Sequence, residues 1–354
     1  MNDQRVIAIA MSGGVDSSVA ASLLVEQGEK VVGIMMRLWS DPDRPNRCCS
    51  PNDMAMARKV ATQLGIPFYT LDAQEVFKRH VVNYFIHGYA QGITPNPCIE
   101  CNRHVRWGFL YQQALAMGAT HLATGHYARI IDSENLHRLL RAKDRAKDQS
   151  YVLHILDQTK LSKAIFPLGE FLKSEVREHA RTRSLPVADR QESQDLCFIG
   201  DQDYYHFLLE QNMAVSSPGP IVDMDGKQLG NHKGLAAYTI GQRKGIGISK
   251  STPLYVIEKR ISENKLVVGP KEQLGRDIFT VDRIHWMNGN KPVQPLQVNV
   301  QIRYKSPEMA AEVIPFDSTQ AIVRLRKPLP DVTPGQFAVF YLGEECLGGG
   351  VILP

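Results

Sequence analysis

A chain of 354 residues is longer than one hydrophobic core usually serves, so two or three domains are expected. A hydrophobic fraction of 43% and a charged fraction of 22% are those of a globular protein, and the lack of any run of about 18 apolar residues excludes a membrane-spanning helix. The formal net charge of +4 permits a nucleic-acid partner without requiring one. In chain order, Arg5–Met11 is a short apolar run typical of a buried parallel strand. Ser17–Gln27 follows as a helix with Val19, Ala20, Leu23 and Leu24 on one face, stopped by Gly28. Val31–Leu38 reads as a second strand, Asp53–Leu64 as a helix ended by Gly65, and Pro67–Leu71 as a third strand. Ala73–Tyr89 and His104–Met117 are expected helices, and His121–Thr124 a fourth strand ending at Gly125. This alternation predicts an α/β fold with a doubly wound parallel sheet over residues 1–202.

Past Gly200 the texture changes. Tyr204–Gln211 is still helical, but after Ser216-Ser217-Pro218-Gly219-Pro220 short strands and turns take over. Asp225-Gly226 signals a hairpin, and Gly241–Gly247 is a glycine-rich basic loop. From about Asp277 only short alternating strands remain, among them Gln297–Tyr304, Ala321–Leu325 and Ala338–Leu342. Two small β-rich domains are therefore expected, 203–274 and 275–354, the last a β-barrel.

The turn between the first strand and first helix reads Ser12-Gly13-Gly14-Val15-Asp16-Ser17. Two glycines let the backbone approach phosphate oxygens, and their N–H groups, Ser12 and the helix N-terminus converge on negative charge. Asp16 can help hold the magnesium ion that accompanies polyphosphates. The loop lacks the lysine of the G-x-x-x-x-G-K-[ST] type and is not G-x-G-x-x-G. It resembles the loop of the ATP pyrophosphatase (PP-loop) superfamily, which implies cleavage of ATP between its α and β phosphates and adenylation of a substrate oxygen.

Six cysteines are present: Cys48, Cys49, Cys98, Cys101, Cys197 and Cys346. The N-terminus lacks the charged, apolar, small-residue order of a signal peptide, so a cytoplasmic location is expected, where a disulfide framework is not. One C-x-x-C without a second pair is a weak zinc signal. The Cys98–Cys101 pair follows Pro95 and Pro97 and precedes a helix expected near His104, where a helix N-terminus would favour a thiolate. Cys48 and Cys49 lie in a proline-rich loop and read as surface or packing residues, and Cys346 as structural.

Seven motifs then occur in order: the PP-loop, Thr94-Pro95-Asn96-Pro97 with Cys101-Asn102, Gly125-His126-Tyr127-Ala128, Lys147-Asp148-Gln149-Ser150-Tyr151, Cys197-Phe198-Ile199-Gly200, Gly241-Gln242-Arg243-Lys244-Gly245 and Pro334-Gly335-Gln336. Together, from about Val6 to Gly350, they resemble the tRNA-uridine 2-sulfurtransferase family. The resemblance implies that the wobble uridine of tRNAs for lysine, glutamate and glutamine is adenylated at O2 and receives sulfur. It implies ATP contacts from Ala10, Met11, Ser12, Gly13, Gly14, Val15, Asp16, Ser17, Met35 and Gly125. Cys197 matches the persulfide carrier and Cys101 the thiol that attacks it, leaving a Cys101–Cys197 disulfide for a reductant. The sulfur would come from a relay protein or a cysteine desulfurase. Asn96, Pro97 and Cys98 match the stretch at the target base, while His126, Lys147, Asp148, Gln149, Arg303, Tyr304 and Gln336 match tRNA contacts.

Some family members carry aspartate where this chain has Cys98. That change creates a set of Cys98, Cys101 and Cys197, which could instead hold a [4Fe–4S] cluster, so the form in which sulfur is held stays open. His126, directly after a glycine at a strand end, is open to either a substrate-contacting or a structural role, a catalytic acid included. For Met35, a plain core position is the alternative to a contact with the nucleotide base. Dense basic residues (Arg138, Arg141, Lys143, Arg145 and Lys147; Arg243 and Lys244; Arg303 and Lys305; Arg324, Arg326 and Lys327) are either solvated faces or a track for a phosphate backbone. A PP-loop ligase of a small metabolite, or an RNA- or metal-binding module that only stores a nucleotide, are the alternatives, and in the ligase Cys101 and Cys197 would be idle.

Overall fold

The computed structural model describes residues 5–39, 50–133, 136–191, 196–199, 203–211 and 217–354. Cys48, Cys49, Gly200 and Ser216, singled out in the sequence, lie outside the described residues.

The first part follows the expected alternation: β1 (Val6–Ala10), α1 (Val15–Glu26), β2 (Lys30–Arg37), α2 (Pro51–Gln63) and β3 (Phe68–Asp72). Helix α3 runs from Gln74–Phe77 through a π-helical turn, Lys78–Val82, into Asn83–Ala90. Helix α4 starts as Pro97–Glu100, widens to a π-helix over Cys101–Leu110, and closes as Tyr111–Ala116. It therefore begins at Pro97 and not near His104: Asn96 caps it through a side-chain bond from the Ile99 N–H, and Pro97 takes the first helical position, where no N–H is needed. Then come β4 (His121–Ala123), the hairpin β5 (Ala128–Ser133) and β6 (Leu136–Arg141), the single turns α5 (Ser150–Leu153) and α6 (Gln158–Leu161), β7 (Ala164–Ile165) and α7 (Lys173–Thr182).

Five of these strands form one parallel sheet in the order β3-β2-β1-β4-β7. Helices cover both faces, so Ile7, Ala8 and Ile9 of β1 are fully buried, which accounts for the continuous apolar run. Each isoleucine sequestered in this way contributes about 1.5–3 kcal/mol.

Helix α8 (Tyr204–Glu210) leads to the central domain, with β8 (Gly219–Val222), β9 (Gln228–His232), β10 (Tyr255–Arg260) and β11 (Lys265–Gly269). The expected Asp225-Gly226 hairpin joins β8 to β9, and the sheet order is β10-β11-β8-β9. The last domain is a closed six-stranded barrel of β12 (Arg276–Trp286), β13 (Leu296–Gln301), β14 (Met309–Pro315), β15 (Ala321–Leu329), β16 (Phe337–Leu342) and β17 (Glu345–Ile352), sealed by pairing of β12 with β17.

The β5–β6 hairpin, absent from the sequence-based expectation, joins the barrel sheet through Leu140 opposite Glu345. The junction is charged, with Arg141 and Asp148 buried in it. Arg141 pairs with Asp148 at 2.9 Å and Glu308 at 2.5 Å, and its guanidinium lies 3.5 Å over the Tyr341 ring. Arg138 pairs with Glu345, and Arg145 with Glu344. With Lys143 3.9 Å from Glu175, four of the five cations of the 138–147 cluster are paired with carboxylates.

His154 is fully buried beside Phe337, with its Nδ1 2.7 Å from the Tyr151 carbonyl. Burial drives its pKa from 6.5 down to about 3. Below pH ~6.5 the unfolded chain takes up a proton that the folded one refuses, so stability falls with falling pH by up to about 1.4 kcal/mol per unit. Urea unfolding between pH 8 and 5 is expected to show this slope in the wild type and a shallower one in His154→Gln.

Candidate active site

In this sheet β1 is flanked by β2 on one side and β4 on the other, so chain connections leave in opposite directions and a crevice opens at the carboxyl ends of β1 and β4. The glycine loop leaves β1 there, and Gly125 follows β4. Gly13 has φ +74°, and a Cβ on it would overlap the Asp53 carbonyl. A Cβ on Gly125 would lie 2.9 Å from the Ser17 backbone nitrogen, so the two loops meet backbone to backbone. Ser17 Oγ accepts from the Ser12 N–H at 3.1 Å, and Ser18 Oγ donates to the Gly14 carbonyl at 2.8 Å. Gly14 caps α1 with no side-chain acceptor, leaving the first-turn N–H groups of a twelve-residue helix without a side-chain partner. That combination fits a phosphate chain.

Three side chains that the sequence reading gave no role surround the loop. Asp16 Oδ1 accepts from Tyr127 Oη at 2.8 Å and from Lys173 Nζ at 2.6 Å. Arg190 donates to the Gly13 carbonyl at 2.8 Å and pairs with the Asp53 carboxylate. Lys173 and Arg190 come from 157 and 177 residues away and obey no local pattern; only the fold brings them here. Met35 is 1% exposed and packs in the hydrophobic cluster with Ile7, Ile9 and Val19, so its side chain occupies a core position. Ala10, Met11 and Val15 form the strand end and helix start that carry the loop.

The second part of the site is the start of α4. Cys98 is exposed in the first helical turn and Cys101 is buried one turn further. The helix-terminus effect fades within that first turn, so it favours an anion at Cys98 more than at Cys101. Asn102 donates to the Cys98 carbonyl at 3.0 Å. Cys101 lies in a hydrophobic cluster with Phe85, Val105 and Phe198, and half-buried Cys197 packs against the same cluster. Phe198 anchors it edge-on to Phe85 at 5.3 Å and to Phe207 at 5.4 Å. The fold thus gathers the two thiols that are nearly one hundred positions apart. Among the described residues no group of three Cys, His, Asp or Glu side chains is placed to hold a metal ion.

The residues matched to tRNA contacts divide into two groups. Tyr304 is 38% exposed, and Lys147 and Gln149 are partly exposed. Asp148 is instead buried against Arg141, and Gln149 accepts from the Tyr127 N–H at 3.0 Å. Half-buried Arg303 bonds Thr333 and the Ile240 carbonyl. His126 is 4% exposed. Its Nε2 accepts from Arg106 at 3.0 Å, so the ring proton sits on Nδ1, 2.7 Å from Thr124 Oγ1. Burial, then the Arg106 charge, lowers its pKa well below 6.5. Gln336 reaches the Thr94 carbonyl at 2.9 Å while the Thr94 N–H donates to Pro334 at 2.9 Å. The barrel therefore holds the turn that leads into α4.

Fold and site define an ATP-using PP-loop protein. Three family models match in succession: a tRNA methyl transferase HUP domain over residues 5–201, a PRC-barrel domain over 206–270 and an aminomethyltransferase β-barrel domain over 276–352. The chain is 46% identical over 350 residues to the tRNA-specific 2-thiouridylase MnmA of Chloroflexus aurantiacus, covering 98% of each. It is 44% identical to that of Roseiflexus sp., again over 98% of each, and 43% identical to that of Magnetococcus marinus over the full length of both. The chain belongs to the tRNA-specific 2-thiouridylase family, a family of sulfurtransferases.

Gly125→Ala drives a methyl into the start of α1. The expected outcome is a loss of about 1–3 kcal/mol in stability, as for overpacking elsewhere, together with weaker ATP binding. Calorimetric titration of ATP into wild type and variant checks it.

Proposed function

We propose that this chain replaces the 2-oxygen of the wobble uridine in tRNAs for lysine, glutamate and glutamine with sulfur, at the cost of one ATP. The observation that carries this reading is the placement of Cys101 and Cys197 on one hydrophobic cluster, in a chain that also holds an uncapped PP-loop helix. The loop binds the phosphate chain through backbone N–H groups, and Asp16 would hold magnesium, which supplies positive charge to the phosphates. The uracil O2 attacks the α-phosphorus and pyrophosphate leaves. C2 then bears AMP, a far better leaving group than hydroxide.

Sulfur arrives as a persulfide on Cys197, loaded by a sulfur-relay protein or a cysteine desulfurase. The Cys101 thiolate attacks the Cys197 sulfur, hydrosulfide is released to C2, and AMP departs with the former O2. The resulting Cys101–Cys197 disulfide returns to thiols by a two-electron reduction. Asn96 and Pro97 set the start of α4, which supports their place beside the base with Cys98. In this reading residues 1–202 carry the chemistry, while 203–274 and 275–354 help grip the tRNA, which is recognised by shape with its target base turned out. Tyr304 is exposed, and Lys147, Gln149 and Arg303 are partly so, which supports their place as tRNA contacts. The reaction takes place in the cytoplasm, where its tRNA substrates are.

Cys101→Ser and Cys197→Ser are each expected to lower 2-thiouridine formation by about three orders of magnitude or more, while pyrophosphate release that depends on unmodified tRNA persists. Incubation with ATP, magnesium, a sulfur donor and unmodified tRNA, followed by nucleoside analysis, reads both. Intact turnover of the two variants on a small metabolite would favour a ligase instead.

A further inference from the structure

The thiol chemistry set out above ends with Cys101 and Cys197 joined. Cys101 belongs to the cluster of Phe85, Val105 and Phe198, and Cys197 packs against it. Cys101 is 8% exposed and Cys197 is half-buried. A reductant has to bring a thiolate into line with one of those two sulfurs, and the apolar cluster stands in its way. Cys98 is placed differently. It is exposed, three residues before Cys101 on the same helix.

Cys98-Ile99-Glu100-Cys101 is a C-x-x-C at the opening of α4, which runs without a break from Pro97 to Ala116. Three features of that opening suit disulfide exchange. Residues three apart on a helix are neighbours, with Cβ atoms about 5–6 Å apart, so a small opening of the first turn brings the two thiols to bonding distance. The first turn carries the positive end of the helix dipole, which favours the thiolate, and therefore the attacking form, at Cys98. The anion between the two thiols is the Glu100 carboxylate. It is buried, 3.7 Å from the Arg103 guanidinium and 3.2 Å from His104 Nε2, so its charge is offset locally. The exposed first thiol can meet an external partner, and the buried second one can meet Cys197.

We infer that Cys98 is a resolving thiol, which moves the disulfide from the sheltered Cys101–Cys197 pair to the accessible Cys98–Cys101 pair. The Cys98 thiolate attacks the Cys101 sulfur. The Cys98–Cys101 bond forms, the Cys101–Cys197 bond breaks, and Cys197 leaves as a thiolate that takes up the proton Cys98 released. One disulfide replaces another, so the protein neither gains nor loses electrons in this step. A protein dithiol then reduces Cys98–Cys101, giving two electrons and two protons and becoming a disulfide itself. Cys197 is already a thiol by then and can receive its next sulfur.

This inference rests on the persulfide reading, and the test separates the two. Full-length protein carrying a persulfide on Cys197 turns over one equivalent of unmodified tRNA with ATP and magnesium and without reductant. Acid quenching, alkylation of the remaining thiols and peptide mass mapping locate the disulfide. In the wild type it is expected at Cys98–Cys101 with Cys197 alkylated, and in Cys98→Ser at Cys101–Cys197. The spent wild type, and Cys98→Ser either spent or oxidised to that disulfide with diamide, are then mixed with a protein dithiol, and the return of thiols is timed. Reduction of Cys98→Ser is expected to be slower by about tenfold or more, because its disulfide is reached only through the apolar cluster. A wild type that keeps Cys101–Cys197 with Cys98 alkylated, or equal rates of reduction, overturns the inference. If Cys98→Ser does not fold, Cys98→Ala carries the same comparison. A wild type that makes 2-thiouridine with all three cysteines still alkylated refutes the persulfide reading itself, and this inference with it.

Discussion

Presenting backbone N–H groups to a phosphate chain requires a peptide turn that no side chain fills and that does not relax. Here that turn sits between β1 and α1, and two constraints hold it. Gly13 adopts a left-handed conformation against the Asp53 carbonyl, and Arg190 ties the Gly13 carbonyl to the Asp53 carboxylate. Gly125 then closes on the start of α1 from the neighbouring strand. Whatever the site does with ATP depends on this immobilised turn, because preorganised dipoles act without reorganising during reaction.

The thiol side of the site depends on a different part of the chain. The turn before α4 is bonded to the barrel through Thr94, Pro334 and Gln336. The barrel sheet in turn continues into the β5–β6 hairpin, with Arg141 and Asp148 buried at the seam and Glu308 paired with Arg141. The catalytic half and the barrel are thus one packed body at this seam, and Cys98 and Cys101 lie on a helix whose entry is set by both. A matched tRNA contact such as Gln336 can act on chemistry by holding that entry.

Much of this was legible in the sequence for physical reasons. Continuous apolar strands alternating with helices announce a parallel sheet, and Ser-Gly-Gly-Val-Asp-Ser announces its phosphate turn. The early start of α4 was also written there, since Asn96-Pro97 is a cap followed by a first-turn proline. The β5–β6 hairpin was not legible, because Arg138 and Arg141 interrupt its apolar pattern and their partners Glu345 and Glu308 lie far along the chain. Lys173 and Arg190 escaped for the same reason: a side chain's partner across some 160–180 positions leaves no trace in local periodicity. The burial of His126 between Thr124 and Arg106 was not legible either, because it is a property of packing alone.

The seam between hairpin and barrel also sets a schedule for synthesis. Phe337, Val339, Tyr341 and Val351 complete the same core cluster that contains Ala8, Leu139 and Tyr151. At 5–20 residues per second, roughly 10–40 s separate the emergence of β6 from that of β17. Throughout that interval the nascent chain carries an open hairpin edge and an uncovered apolar face. The early part of the protein must wait for its final residues before its core is closed, and the ribosome-bound intermediate is the form most exposed to misassembly.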